Sequence, residues 1–256
     1  MIKLKLPCYS LDFFISDSLT LTIALNENHR LLIELTDIPE LTGIFVGDEE
    51  WEYTWLIPEQ SIKEVLDHFT RLFCKKQIDS LQVFCDTNEF ELSLVKEELK
   101  GVQFRALLIM CPSNDEDIKA AMDILPYPGV LVLVDEQATK KEIDRKLAIQ
   151  NFDSLDAWCP LDELLMINSP RIQINASHWK NKDLNRFLKL WIRGAMKNLL
   201  YITMTHKDGW NLKAVLEGII VQESDFLWGN LDIQREDGVV GVVVLDQLPN
   251  IIKLYA

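Results

Sequence analysis

Three times between residues 61 and 142 a hydroxyl-bearing residue stands three places ahead of a glutamate: Ser61 and Glu64, Ser113 and Glu116, Thr139 and Glu142. In this pattern the hydroxyl caps the third residue of a helix while the glutamate reaches back to the cap, so each pair marks a helix start. Apolar runs of strand length stand between and after these starts: "SLQVFC", "RALLIMC" and "GVLVLV". The last is continuous, as in strands buried on both faces. Helix starts alternating with apolar strands argue for parallel pairing through crossover helices.

The spacing inside each segment agrees. Ile62, Val65, Leu66, Phe69 and Phe73 recur at helical intervals after the first pair, and a short helical piece spans Val95 to Leu99. The second pair opens a helix with Ile118, Ala121, Met122 and Leu125 inward, ended by Pro126. The third opens one running through Ile143 and Leu147. The strand "RIQIN", a helix from Asn181, the strand "LLYITM" and the helix "NLKAVLEGI" continue the alternation at intervals of roughly 20 to 40 residues, within the range of α/β repeat units. Two architectures satisfy this order, a curved leucine-rich-repeat-like solenoid with helices on one side or a doubly wound sheet with helices on both. Ile78-x-x-Leu81-x-Val83 fits the leucine-rich consensus in one unit, although no unit shows an asparagine ladder clearly. The expected class is α/β with degenerate leucine-rich-repeat-like strand-helix units between β-rich ends.

Leu19 to Thr36 reads as a hairpin turning at "NENH", and "WEYTWLI" as a strand with Trp51, Tyr53 and Trp55 on one face. After Ile219 the segments "NLDIQ", "VVGVVVL" and "IIKLY", with the turn "REDG", read as an antiparallel end-piece. The expected organisation is a β-rich segment over 1–60, an α/β repeat-like region over 61–220 and an antiparallel β segment over 221–256, all in one compact domain.

Lys and Arg total 26 against 40 Asp and Glu, a formal charge of −14. A nucleic-acid backbone is repelled unless basic residues gather on one face, and here Lys140, Lys141, Arg145 and Lys146, like those from Lys180 to Arg193, are interleaved at helical spacing. No run approaches the roughly 18 to 20 apolar residues of a membrane span, and "MIKLKLPCYSLDFF" lacks a signal peptide's apolar core. An intracellular protein without nucleic-acid or membrane partners is expected. Five cysteines, odd in number and without a C-x-x-C pair, read as free thiols there, and the sequon at Asn175 as chance.

The search for chemistry is mostly negative. None of the ten glycines has phosphate-cradling spacing, so no nucleotide cofactor is expected. His29, His68, His178 and His206 are scattered singly; His178 and His206 stand at corresponding ends of neighbouring units, where a surface or capping role outweighs metal ligation. Cys111 closes an apolar strand just ahead of a helix start, a position where α/β proteins often place sites. It reads first as a small apolar strand end; the alternative is a small-molecule or hydrolytic enzyme using strand ends around Cys111 and Cys159. In "GDEEWEY" the carboxylates of Asp48, Glu49 and Glu50 read as a charged rim, with Trp51 and Trp55 as candidate partner anchors against a heavier core reading.

The stretch "NKDLNRFLKLWIRG" places Leu184, Phe187, Leu188 and Trp191 on one helical stripe, with Asn181 as N-cap and Gly194 as the stop. Its residues Asp183, Leu184, Asn185, Phe187, Leu188, Lys189, Trp191 and Gly194, set between "RIQIN" and "LLYITM", resemble the type 2 F-box-associated domain of nematode proteins. "WCPLDELL" ahead of it and "LEGI" with "DIQREDGVVGVVVL" after it are similar to the same family, as in general character is the opening "LKLPCYSLDFFISDSLTL". The resemblance implies a non-enzymatic protein-interaction domain without catalytic residues, of the kind that selects substrates for a cullin ubiquitin ligase. An F-box, which would recruit the Skp-type adaptor in a longer form, is not evident ahead of Leu6. The acidic charge favours a basic partner.

Overall fold

The structure, a computed structural model, describes residues 8–16, 19–25, 29–35, 40–41, 44–46, 49–51, 55–56, 61–85, 92–110, 115–125, 128–134, 151–223, 230–245 and 250–256. The chain is mixed α/β and divides into two compact units, Met1–Val134 and Asp135–Ala256.

In the first unit β1 (Ser10–Ile15), β2 (Leu19–Ala24) and β3 (His29–Leu35) pair antiparallel, and β2 and β3 form the hairpin expected at "NENH". β4 (Glu40–Leu41) pairs with β7 (Trp55–Leu56) in a separate two-stranded sheet, whereas β5 (Ile44–Val46) and β6 (Glu49–Trp51) extend the main one. The single strand expected at "WEYTWLI" is therefore two strands, in different sheets. Glu49 and Glu50 stand in a strand and not in a loop, and residues 52–54 and Asp48 lie outside the described residues.

α1 (Ile62–Leu72) starts as its capping box demands. Ser61 Oγ accepts from the Glu64 N–H at 3.3 Å while Glu64 Oε2 accepts from the Ser61 N–H at 2.9 Å. β8 (Ile78–Phe84), α2 (Leu92–Glu98), β9 (Phe104–Met110), α3 (Asp115–Ile124) and β10 (Val130–Val134) follow in the expected alternation. β1, β8, β9 and β10 run parallel as neighbours in that order. Phe13, Leu81, Leu107 and Leu131 share one register row on the face that forms the core, each fully buried, and Val65, Leu66, Val95, Leu99, Ile118, Ala121 and Met122 of the helical segments are buried with them. β10 departs from the expected burial on both faces, since only Leu131 of its five residues is buried and the other four are half-buried. Ser113, Cys111 and the helix expected from Thr139 and Glu142 lie outside the described residues.

The second unit orders β11 (Ser154–Ala157), β12 (Arg171–Asn175) and β13 (Tyr201–Thr205) in parallel, with α4 (Leu161–Leu164) and α5 (Asn181–Ile192) as their crossovers. α6 (Leu212–Val215) is a single turn, shorter than "NLKAVLEGI" suggests, capped by Asn211 Oδ1 on the Ala214 N–H. Beyond β14 (Gln222–Glu223), β15 (Leu231–Gln234), β16 (Val240–Leu245) and β17 (Ile251–Tyr255) form the expected antiparallel end-piece, and β17 pairs with β13. The "REDG" turn is closed by the Arg235 N–H on the Val239 carbonyl and by Gly238 at φ +91°, a conformation that glycine adopts without strain.

Several hydrogen bonds between successive parts of this unit share one displacement per step. From the first strand to the second the step is 17 residues, and from the second to the third it is 30. An asparagine ladder does run here: Asn168 Nδ2 donates to Asn151 Oδ1 at 2.6 Å, and Asn198 Nδ2 to Asn168 Oδ1 at 2.7 Å. It stands at the entrances of β11, β12 and β13, where the leucine-rich pattern has no asparagine to reveal it.

Candidate functional site

α5 supplies the second unit's core. Leu184, Phe187, Leu188 and Trp191 are each fully buried, as the spacing of the stripe requires. Its start differs from expectation. Lys180 is the N-cap and Asn181 the first helical residue, because Asp183 Oδ2 accepts from the Lys180 N–H at 2.8 Å and fixes the first turn there. Asn181 Oδ1 instead accepts from the Asn211 N–H at 2.9 Å, and Asn185 Nδ2 donates to the Val215 and Glu217 carbonyls at 2.6 and 2.9 Å, so both asparagines join α5 to α6. Its end is as expected. Gly194 takes φ +93°, the Ala195 N–H reaches the Leu190 carbonyl and the Gly194 N–H the Trp191 carbonyl, the paired bonds of a Schellman stop.

The residues considered for chemistry do not form a catalytic constellation among the described residues. His206 Nδ1 accepts from the Asp208 N–H at 3.2 Å, so its other nitrogen carries the proton and donates to the Trp179 carbonyl at 3.1 Å; it closes a turn. His178 packs against Trp158 with ring centroids 4.1 Å apart. No three His, Cys, Asp or Glu side chains converge as metal ligands among the described residues. Cys159 is fully buried, and burial, reinforced by the Glu163 carboxylate, pushes its thiol up, away from the thiolate a nucleophile needs. In a site-resolved alkylation of the native chain, exposed Cys74 should react about as fast as an unfolded thiol and Cys159 at least roughly 100-fold slower. A Cys159 that outpaced Cys74 would favour the enzymatic alternative.

Three surfaces remain. In the second unit, the sheet face opposite the core carries a register row of Asp156, Gln173, Thr203 and Lys253 and a second of Arg171, Tyr201 and Tyr255. Gln173 Nε2 donates to Asp156 Oδ2 at 3.0 Å, and burial raises the Asp156 carboxyl to about 6. The tyrosine rings lie 4.8 Å apart.

Also in the second unit, a groove of about 560 Å³ opens between the last turn of α5, residues 218–222 and the β15–β16 hairpin. Ile192, Ile219, Ile220, Ile233 and Val240 line it, with Lys189 and Arg193 on the α5 wall and Asp232 and Glu236 on the hairpin wall. The Glu236 N–H bonds the Ile192 carbonyl at 2.8 Å and holds the hairpin to the helix end. Ile220 is 87 % exposed and Val240 51 %. Asp232 Oδ1 is shut off from water without a donor on it, an acceptor left unsatisfied.

In the first unit, the face opposite Phe13 and Leu81 carries Phe14, Gln82, Leu108 and Val132 in one row and Phe84, Met110 and Val134 in the next, all half-buried. Phe14 and Phe84 stack with centroids 6.4 Å apart. Of the two tryptophans considered as anchors, Trp51 ends β6 and Trp55 starts β7, so they stand in separate sheets. The groove escaped the sequence because Ile219 and Ile220 carry no periodic signal, and the half-buried face because Phe14 reads as one more core residue.

Comparison with known proteins bears on the scaffold as a whole. Residues 145–204 match the family described as F-box associated. The chain is 21% identical over 257 residues to the F-box associated domain-containing protein sdz-33 of Caenorhabditis elegans, covering 95% of this chain and 80% of that protein. No solved structure matches. The matched segment contains β11, α4, β12 and α5 and most of β13, including every residue of the α5 motif. Residues 145–204 are therefore similar to the F-box associated family, and nearly the whole chain is similar to one Caenorhabditis elegans protein described as containing such a domain.

Proposed function

We propose that this chain is a protein-interaction domain, non-enzymatic itself, that selects a protein partner in the manner of the substrate-recognising part of an F-box ubiquitin-ligase adaptor. The groove beside the end of α5 carries this reading. Exposed isoleucine and valine side chains at a concave site rimmed by both signs of charge are what a protein interface buries at its centre and surrounds with polar contacts. A donor from the partner would satisfy Asp232 Oδ1. Trp51 and Trp55 are proposed as further contacts, and the partner as basic, in keeping with the charge of −14. The finer reading of the scaffold as a degenerate solenoid is supported by strand order, since in neither unit does the order of the parallel strands reverse as it does at the switch point of a doubly wound sheet.

The test is affinity capture from a nematode extract by the full chain and by its Ile220→Asp and Val240→Asp variants. Both side chains are exposed, so the changes should alter stability by under about 0.5 kcal/mol. A protein retained by the wild type should be lost at least roughly tenfold from the variants, the equivalent of about 1.4 kcal/mol. Equal capture by all three would remove the groove from recognition. Co-capture of the Skp-type adaptor would place the chain within a ligase; its absence beside one retained protein would favour a free-standing binder.

A further inference from the structure

The groove at the end of α5 is lined by four charged residues, Lys189, Arg193, Asp232 and Glu236, and none of them belongs to an ion pair among the described residues. Arg193 and Glu236 are exposed and Lys189 is half-buried, and charges in contact with water lose little by standing alone. Asp232 differs, because its Oδ1 is cut off from water and accepts no hydrogen bond. Burying an acceptor without a donor is costly, and more so on a charged group than on a neutral one. We infer that Asp232 is the anchor point for an arginine side chain of the partner segment that occupies the groove, an inference that rests on the groove being the partner site.

The strand register shows how the two would meet. Asp232 stands opposite Gln222 on β14 and opposite Val242 on β16, and Val240, the partner of Gln234, stands one row further along. Asp232 and Val240 are thus diagonal neighbours on one face of the hairpin, about 7 to 8 Å apart. Val240 is exposed and Asp232 half-buried, so an apolar step stands beside a sunken carboxylate. The side chain of an arginine spans such a diagonal, its methylenes lying on Val240 and Ile220 while the guanidinium reaches the carboxylate.

Burial and charge together choose the donor. A hydroxyl or an amide would satisfy Oδ1, but a partner that covers the groove strips the remaining water from the carboxylate, and only a cation then offsets its charge. A lysine ammonium is a compact, strongly hydrated charge and gives up more water to enter a partly apolar site. A guanidinium is more weakly hydrated, planar and able to bond both carboxylate oxygens at once. Lys189 and Arg193 on the facing wall repel any further cation. The segment therefore carries one arginine between apolar residues and not a run of basic ones.

Titration of the full chain with fluorescent peptides of about ten residues, too short to hold a helix by themselves, tests this. The first carries a single Arg between two Leu in a Gly and Ser background; three others place Lys, Gln or Glu where the Arg stood. The Arg peptide should bind saturably and at least about tenfold more tightly than the Gln peptide, with the Lys peptide between them and the Glu peptide weakest. Asp232→Asn, nearly isosteric, should weaken the Arg peptide at least about tenfold and leave the Gln peptide within about twofold, a coupling that a double-mutant cycle reads. The same variant should hold or raise the melting temperature, since it neutralises an unsatisfied buried carboxylate of the free chain. Ile220→Ser should weaken both peptides. Equal affinity for the Arg peptide and either the Lys or the Gln peptide would overturn the inference, as would indifference of the Arg peptide to Asp232→Asn. If Ile220→Ser still weakened both peptides in that case, the groove would stand as a partner site with another selector. A lower melting temperature in Asp232→Asn, with both peptides weakened alike, would assign Asp232 to the fold. Failure of every peptide to bind would also overturn the inference, and the groove reading would then be decided by the capture experiment alone.

Discussion

Replacing Trp191 by alanine should remove about 3 to 5 kcal/mol of stability, the range for truncating a fully buried aromatic side chain. Its ring is the largest fully buried side chain of the described residues, and it is held from three directions. Its own helix brings Leu184, Phe187 and Leu188 along the same stripe; β16 brings Gly241 against its edge; the Arg235 guanidinium lies over it at 5.5 Å. Arg235 is only 7 % exposed and is anchored by Asp237 Oδ1, which accepts from its Nε at 2.8 Å; that bond holds the Asp237 carboxyl below its usual range. Truncation would thus empty a large volume and leave a buried guanidinium without its aromatic face. Against a total of about 5 to 15 kcal/mol for a domain, this loss would leave the second unit marginal or unfolded at 37 °C. Urea denaturation followed by circular dichroism reads it directly. A loss under about 1.5 kcal/mol would mean that the core around α5 collapses readily onto the vacancy.

Gly241→Ala should be nearly as damaging, for the opposite reason. The cause is not backbone conformation; an added methyl at this position would sit 2.5 Å from Trp191 Cη2, 3.1 Å from Cζ3 and 3.0 Å from Leu254 Cδ1. Neither a buried indole nor a core leucine is a flexible end that can swing away. Overpacking of this kind costs roughly 1 to 3 kcal/mol and sometimes more. The two effects share one contact, so they should not add. In a Trp191→Leu background the alanine should be tolerated far better, with an interaction energy on the order of 1 to 3 kcal/mol in the double-mutant cycle. Strict additivity would show that the glycine is needed for something other than room for the ring.

Trp191 and Gly241 illustrate which parts of the structure were legible. The stripe of α5, the capping box at Ser61 and the stop at Gly194 depend on residues within seven places of one another, and local spacing carries all of it. The start of α5 was displaced by one residue because Asn181 and Asp183 compete for the capping role, and the winner depends on a long-range bond from Asn211 that keeps Asn181 occupied. The asparagine ladder was invisible for a related reason. Asn151, Asn168 and Asn198 become neighbours only once the strands pair, and their unequal separations break any search by period. The contact of Gly241 with Trp191 joins residues 50 positions apart in different kinds of element. Among candidate surfaces the mismatch is greater still, because exposure is a property of the folded neighbourhood; Phe14 and Phe13 are identical as letters and face opposite ways across β1. Trp51 and Trp55, two residues of one type at strand spacing, were assigned a common face that the division into β6 and β7 does not allow.

The thirty-residue displacement within the second unit bears on how such a chain can change length. Asn168 meets Asn198, Ser177 meets Lys207, Asn181 meets Asn211 and Asn185 meets Val215, and the strands at Ile172 and Ile202 obey the same interval. Adding or deleting one or two residues anywhere between 177 and 198 would throw several of these pairs out of step together, because all are counted on one ruler. Gaining or losing a whole strand-and-helix step would leave every remaining pair intact. Over this stretch the fold therefore accepts change in whole steps and resists it in fractions.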